Sequence, residues 1–165
     1  MNTKTLFSTG HDRWETPDEL FHEYNQQFNF VLDAAADLHN HKVDVWFGPN
    51  SPVGVEDALL SDWSEYLKKG NIWLNPPYSR GLQKKFVEKA ANEHIIYDIN
   101  PNNSHMMNDY KSAHHVVCLL PARTDTKLFH EVIKPYNSSI EFLKGRIRFK
   151  GAKSGAPFPS MIVVF

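Results

Sequence analysis

Asn75-Pro76-Pro77-Tyr78 is the stretch of this 165-residue chain whose residue types are best suited to chemistry. It follows the apolar run Ile72-Trp73-Leu74, which reads as a short buried strand stopped by two prolines. One rigid turn then holds a planar amide, a carbonyl with no backbone N–H behind it, and an aromatic ring. That trio suits a planar base bearing an exocyclic amine. Asn75 Oδ1 and the Pro76 carbonyl can each accept one amino hydrogen, Pro77 shapes the turn, and the Tyr78 ring can stack on the base. A proline-stiffened loop with a packed tyrosine is the alternative reading of the same four residues.

Other candidate residues fall where neighbouring strands should end. Val31-Leu32 begins a strand, and Asp33 lies near its C-terminal end, followed by Ala34-Ala35-Ala36. In doubly wound sheets ligands bind at the C-terminal edge of the strands. A carboxylate there could accept from a ligand amine or hydroxyl, and the small alanines would allow close approach; a helix cap is the alternative. No G-x-G-x-x-G is present, which argues against a dinucleotide and is tolerable for a cofactor without phosphates. Asp57 lies close to where a third strand tip would fall, as a second ligand acid or a solvated loop carboxylate. Val116-Val117-Cys118-Leu119-Leu120 reads as a buried parallel strand ending in Pro121-Ala122-Arg123-Thr124-Asp125-Thr126. Arg123 and Asp125 therefore belong at the same sheet edge as Asn75. They could pair with one another, contact substrate, or leave Thr124 or Asp125 to cap the next helix.

The elements that must position these residues alternate as in an α/β protein. Thr16-Pro17-Asp18-Glu19 predicts a helix start, with Thr16 as N-cap, Pro17 in the first turn and Glu19 completing a capping box. Leu20, Phe21, Tyr24 and Phe28 then share one face. Trp14 either lines a ligand pocket at this helix N-terminus or staples the helix in place. Val43–Phe47 is a further strand candidate, and 48–54 a Gly/Pro loop. Ser79 can cap a helix with Leu82, Phe86, Val87 and Ala90 inward, and Lys84, Lys85 and Lys89 on a solvated face. Residues 92–114 break that pattern and read as an insertion or functional loop; the spacings of His94, His105, His114 and His115 match no standard metal site. After Thr126 a helix carries Leu128, Phe129, Val132 and Ile133 inward. Ile140–Leu143 and Arg146–Phe149 are β-rich. The latter belongs to a stretch with Lys144, Arg146, Arg148, Lys150 and Lys153 and no acid, a plausible phosphate-contact hairpin or a solvated strand face. Met161–Phe165 is the last strand.

The totals bound the answer. The chain fits one domain, residues 1–165, with a loose N-terminus at 1–13. With 41% apolar and 22% charged residues it can bury a core. The net charge of −1 supplies no whole-molecule attraction for nucleic acid, so any such binding needs a local patch. The single cysteine, Cys118, reads as a small buried hydrophobe, and its solitude fits a reducing cytosol. No signal peptide is apparent, and no run is apolar enough to span a membrane.

Taken in order, Trp14-x-Thr16-Pro17, Leu32-Asp33-Ala34-Ala35-Ala36, Asp57-x-Leu59 with Trp63, Trp73-Leu74-Asn75-Pro76-Pro77-Tyr78, Leu119 to Thr126, Gly145-Arg146-Ile147-Arg148-Phe149 and the Ser160–Phe165 ending closely resemble the phage-encoded N-6-adenine DNA methyltransferase family (Dam type). The resemblance runs from about residue 14 to the C-terminus. It implies a Rossmann-like S-adenosylmethionine-dependent methyltransferase: α/β, with a mostly parallel central sheet, helices on both faces and an antiparallel C-terminal hairpin. It implies S-adenosylmethionine as methyl donor, double-stranded DNA as partner, no metal, and a setting in the bacterial host cytoplasm. Asn75, Pro76, Pro77 and Tyr78 become catalytic by that resemblance. Trp14, Thr16, Pro17, Asp33, Ala34, Ala35, Asp57 and Asn75 fall on the cofactor side. Tyr78, Arg123, Asp125, Arg146, Arg148 and Lys150 fall on the DNA side. Two departures stand out: alanines replace the usual glycine-rich cofactor loop, and the 92–114 stretch is longer than the family's usual link. Transfer to RNA or to a protein glutamine amide, or a catalytically decayed DNA-binding relative, are the alternatives.

Overall fold

The structure, a computed structural model, describes residues 14–99 and 114–165. Its centre is a five-stranded mixed sheet of β1 (Phe30–Asp33), β2 (Asn71–Leu74), β3 (Val116–Pro121), β4 (Ser139–Phe142) and β5 (Ser160–Val164), in spatial order β1-β2-β3-β5-β4. The first three strands are mutually parallel. β5 pairs antiparallel with both β3 and β4, so it alone runs against the other four. The C-terminal ends of β1, β2 and β3 thus lie along one edge, where Asp33, Asn75 and the segment after Pro121 emerge.

Apolar runs without alternation form the central strands because both faces of the sheet are covered. Trp73 and Val117 point to one face, where helix α1 (Asp18–Phe28) lays down Phe21 and Tyr24. Ile72, Leu74, Val116 and Cys118 point to the other, against Leu82, Phe86, Val87 and Ala90 of α3 (Arg80–Ile99). Between them a four-residue helix, α2 (Ser64–Leu67), buries Leu67. Full burial of each such side chain is worth about 1.5–3 kcal/mol, so β2, with Ile72, Trp73 and Leu74 all at 0% exposure, is a firm base for the turn at its tip. Cys118 is buried as expected, and burial pushes its thiol up, far from nucleophilic use.

Several boundaries differ from the sequence expectation. The predicted strand at 43–47 makes only a parallel bridge, Asp33 to Trp46, beside β1. Gly48 ends it at a φ of 138°, and a Cβ there would lie 1.9 Å from the Ala36 carbonyl oxygen; only glycine lets the two loops close on each other. The helix expected to break at 92 continues to Ile99 and buries Glu93, His94 and Tyr97; polar composition hid its inner face. Residues 100–113, the rest of that expected loop, lie outside the described residues, as do 1–13. The helix after β3 contains a π-helical stretch, Phe129–Ile133, before the short α4 (Lys134–Tyr136). Pro135 explains it: with no N–H to give, it cannot continue the α-helical ladder.

The basic hairpin also comes out differently. Arg146–Phe149 forms no strand; the C-terminal hairpin is β4 with β5, and residues 143–159 connect them as an irregular excursion. That excursion folds back on itself through an Ala156 N–H to Ile147 carbonyl bond of 2.8 Å. Among the described residues no helix is long and apolar enough to cross a membrane.

Candidate active site

Asn75 is the residue around which the sheet edge closes. Its Nδ2 donates to the Trp14 carbonyl at 2.6 Å and to Thr16 Oγ1 at 3.0 Å. A carbonyl can only accept, so the amide has one possible orientation. The opposite atom, Oδ1, is buried and has no hydrogen-bond partner. A buried acceptor without a donor is expensive, about 1–3 kcal/mol, and such groups call for an explanation. The residues before α1 therefore act as a clamp that presents an unused acceptor at the β2 tip.

The clamp corrects the expected capping. Thr16 does not cap α1; the N-cap position is Pro17, with no side-chain cap, and the Thr16 hydroxyl, 2% exposed, serves Asn75 instead. The first turn carries Asp18 and Glu19, which suit the positive helix end.

Asp33, at the neighbouring tip, is 3% exposed. Its Oδ2 accepts from the Lys42 N–H at 3.0 Å and its Oδ1 from the Ala35 N–H at 3.4 Å. Burial pushes its carboxyl up to about 6, although the two backbone N–H groups and the Lys42 charge pull the other way. It braces the loop that leaves β1. Ala34 is fully buried, with its N–H on the Trp73 carbonyl at 2.9 Å, while Ala35 is only partly covered. Asp57 is half-buried in a turn of its own, its Oδ1 accepting from the Leu59 N–H at 3.0 Å.

Tyr78 is packed inward. Its ring is 5% exposed, its hydroxyl donates to the Leu119 carbonyl at 3.0 Å, and burial pushes that hydroxyl well above the ordinary phenol range. Phe149 and Phe158 meet it edge to face at centroid distances of 6.1 and 5.7 Å. Trp14 meets the same two rings, each at 5.2 Å. Trp14 and Phe158 are the half-buried members of this box. Neither phenylalanine was singled out as a site residue; the prolines flanking Phe158 are the only local signal, and they say turn rather than site.

A family model for DNA N-6-adenine-methyltransferase (Dam) matches residues 2–165. The chain belongs to this DNA adenine methyltransferase family. It is similar to the DNA N-6-adenine-methyltransferase of Haemophilus phage HP1 (strain HP1c1), 29% identical over an alignment of 161 positions that covers 93% of this chain and 78% of the phage protein. The ordered motifs that suggested a Dam-type methyltransferase are thereby placed in that family.

The remaining candidates on this Dam-family edge separate into free and engaged groups. Arg123 and Asp125 are exposed and form no ion pair with each other; the helix is capped by Thr126, whose Oγ1 accepts from the Phe129 N–H at 3.2 Å, and not by Thr124 or Asp125. Arg146 and Arg148 are exposed on the 143–159 excursion, Arg148 Nε donating to the Ala152 carbonyl at 3.0 Å. Lys150 is engaged: Nζ lies 3.3 Å from Glu15 and 3.2 Å from Asp18, beside Lys42, which is 2.6 Å from Asp18. Those lysines hold the Asp18 carboxyl below its ordinary range. Among the described residues no group of three or more His, Cys, Asp or Glu side chains could hold a metal ion.

Proposed function

We propose that this protein transfers a methyl group from S-adenosylmethionine to N6 of adenine in double-stranded DNA, on a Rossmann-like methyltransferase fold, with Asn75 and Pro76 as the polarising acceptors. The observation that carries the proposal is the clamped Asn75 amide with its buried, unpartnered Oδ1. Family membership supports adenine in DNA as the acceptor, ahead of RNA or a glutamine amide. The intact clamp supports a working site over a decayed one.

The residues present suit the methyl donor. The Asn75 acceptor, the small Ala34 and Ala35, and the Asp33 carboxylate stand at adjacent strand tips, and Trp14, Thr16 and Pro17 flank them. S-adenosylmethionine, when bound, supplies an electrophilic methyl group on a cationic sulfur, which on transfer would keep the electron pair of the broken S–CH3 bond and leave as a neutral thioether. These residues, with Asp57, are the proposed cofactor side.

Adenine N6 is a poor nucleophile because its lone pair is delocalised into the ring. With one amino hydrogen on Asn75 Oδ1 and the other on the Pro76 carbonyl, the nitrogen is favoured in a pyramidal form and its lone pair is released. The same two oxygens stabilise the positive charge that grows on N6. N6 gains the methyl group and sheds one proton to water, with no strong side-chain base required. The base must leave the duplex to arrive there. Stacking on Tyr78 then requires Phe158 to give way, and Phe158 sits on the irregular 143–159 excursion rather than on a strand. Arg123, Asp125, Arg146 and Arg148 contact the DNA, with Lys150 fixing the excursion to α1 through Glu15 and Asp18.

The test supplies labelled S-adenosylmethionine with duplex DNA, RNA or protein in parallel, and digests the product for N6-methyladenine. Label in DNA as N6-methyladenine is expected; label confined to RNA or protein would overturn the reading.

A further inference from the structure

A second concavity opens on the other side of the β3 tip from the aromatic box. It has a volume of 680 Å3 and lies between the first turns of α3 and the helix that follows β3. Leu120, Val132, Ile133 and Met161 contribute an apolar floor; Gln83 adds an amide, and the charged side chains around them balance, Lys84, Arg123 and Lys127 against Glu88, Asp125 and Glu131. The size falls within the range of small-molecule sites.

Gln83 gives the cavity its meaning. It is 7% exposed, yet its side-chain amide takes part in none of the hydrogen bonds of the described residues. Its amide atoms are not among the sealed, unpartnered polar atoms, so they face the cavity and stay open to a ligand there. A glutamine amide offers an acceptor and two donors in one plane, the pattern that matches the edge of a nucleobase. Arg123 stands at the rim, exposed and with no ion pair or side-chain hydrogen bond. Gln83 is on the first turn of α3, which starts two residues after Tyr78, so the cavity belongs to the same sheet edge as Asn75.

We propose that this cavity takes an unstacked nucleobase of the DNA other than the methylated adenine, its edge hydrogen-bonded to the Gln83 amide and its phosphate met by Arg123. This inference rests on DNA being the substrate. It gives the chain a means of sequence discrimination on its own fold: a well-placed side-chain pair to a base edge typically gives about tenfold discrimination.

The experiment uses the full chain and duplexes, drawn from sequences methylated in cells expressing it, that carry 2-aminopurine at one position flanking the target adenine. This probe brightens when unstacked and needs no methyl transfer. The expected result is a severalfold rise at one flanking position on binding, lost in Gln83→Leu and weakened in Arg123→Ala. Gln83→Leu should melt no lower than the parent protein, which separates loss of the contact from loss of the fold. No brightening at any flanking position, or equal brightening in Gln83→Leu, overturns the proposal. Failure of the wild-type protein to methylate the unmodified duplex would count against the catalytic reading instead.

Discussion

At the scale of single residues, the fold leaves one atom of the proposed site, Asn75 Oδ1, without a partner. Asn75 could have satisfied both ends of its amide; Trp14 and Thr16 instead take only the nitrogen. Thr16→Val removes one of two acceptors, worth about 1 kcal/mol, and should lower kcat about fivefold. If Thr16 acts on the rate by positioning Asn75, kcat will fall by more than methyl-donor affinity measured by calorimetry, and Thr16→Ser will restore the rate. A loss of donor affinity as large as the loss of rate would mean that Thr16 serves the cofactor side alone. Asp33 makes a pH prediction. Its folded-state carboxyl is raised to about 6 from an ordinary value of 3.8, so the folded protein holds that proton more tightly than the unfolded chain. Stability is therefore lost as pH rises between those values, by about 3 kcal/mol at about 1.4 kcal/mol per unit, and is flat above. Asp33→Asn should abolish that slope in urea melts at pH 4 to 7; an unchanged slope would contradict the buried, strained carboxylate. The identity of Asn75 was legible because Asn-Pro-Pro-Tyr is a local pattern. Its clamp was not, because the contacts span 59 and 61 residues of chain and Thr16 carries a stronger local signal as a helix cap.

Elements position the site by converging on one edge. β1, β2 and β3 were legible as short apolar runs closed by Asp33, Asn75-Pro76 and Pro121, since strands buried on both faces need no alternation. Segments 43–47 and 146–149 are both β-rich, yet 43–47 pairs only with the short exit of β1 through three backbone hydrogen bonds around one bridge, and 146–149 pairs with no strand, so the partner's length and not propensity decides. The close passage of Gly48 over Ala36 is an element-scale constraint. Gly48→Ala drives a Cβ to 1.9 Å from a backbone oxygen at a left-handed φ. It should cost about 3 kcal/mol or more in thermal or urea melts; a variant as stable as the parent would mean that this loop does not seat against β1.

Over the whole molecule, a net charge of −1 leaves DNA binding to a few cations. The basic run read from the sequence overstates them, because Lys150 is neutralised by Glu15 and Asp18, acids more than 130 residues away along the chain. Arg123, Arg146 and Arg148 remain exposed. If these three meet phosphates, the logarithm of affinity should fall with the logarithm of salt at a slope of about −3. Charge reversal at Lys150 should act first through the melting temperature, since it breaks the tie to α1. These partners, like the Tyr78 box, become visible only when distant segments are folded together.

The central claim is that Asn75 Oδ1 is the atom that readies the adenine amine. Its most direct test is the single-turnover rate of N6-methyladenine formation by Asn75→Ala, with S-adenosylmethionine and DNA both saturating and donor affinity measured alongside. Removing one preorganised acceptor is expected to slow the step about 100-fold to 1,000-fold while donor affinity changes little. A single-turnover rate equal to that of the wild-type protein would contradict it.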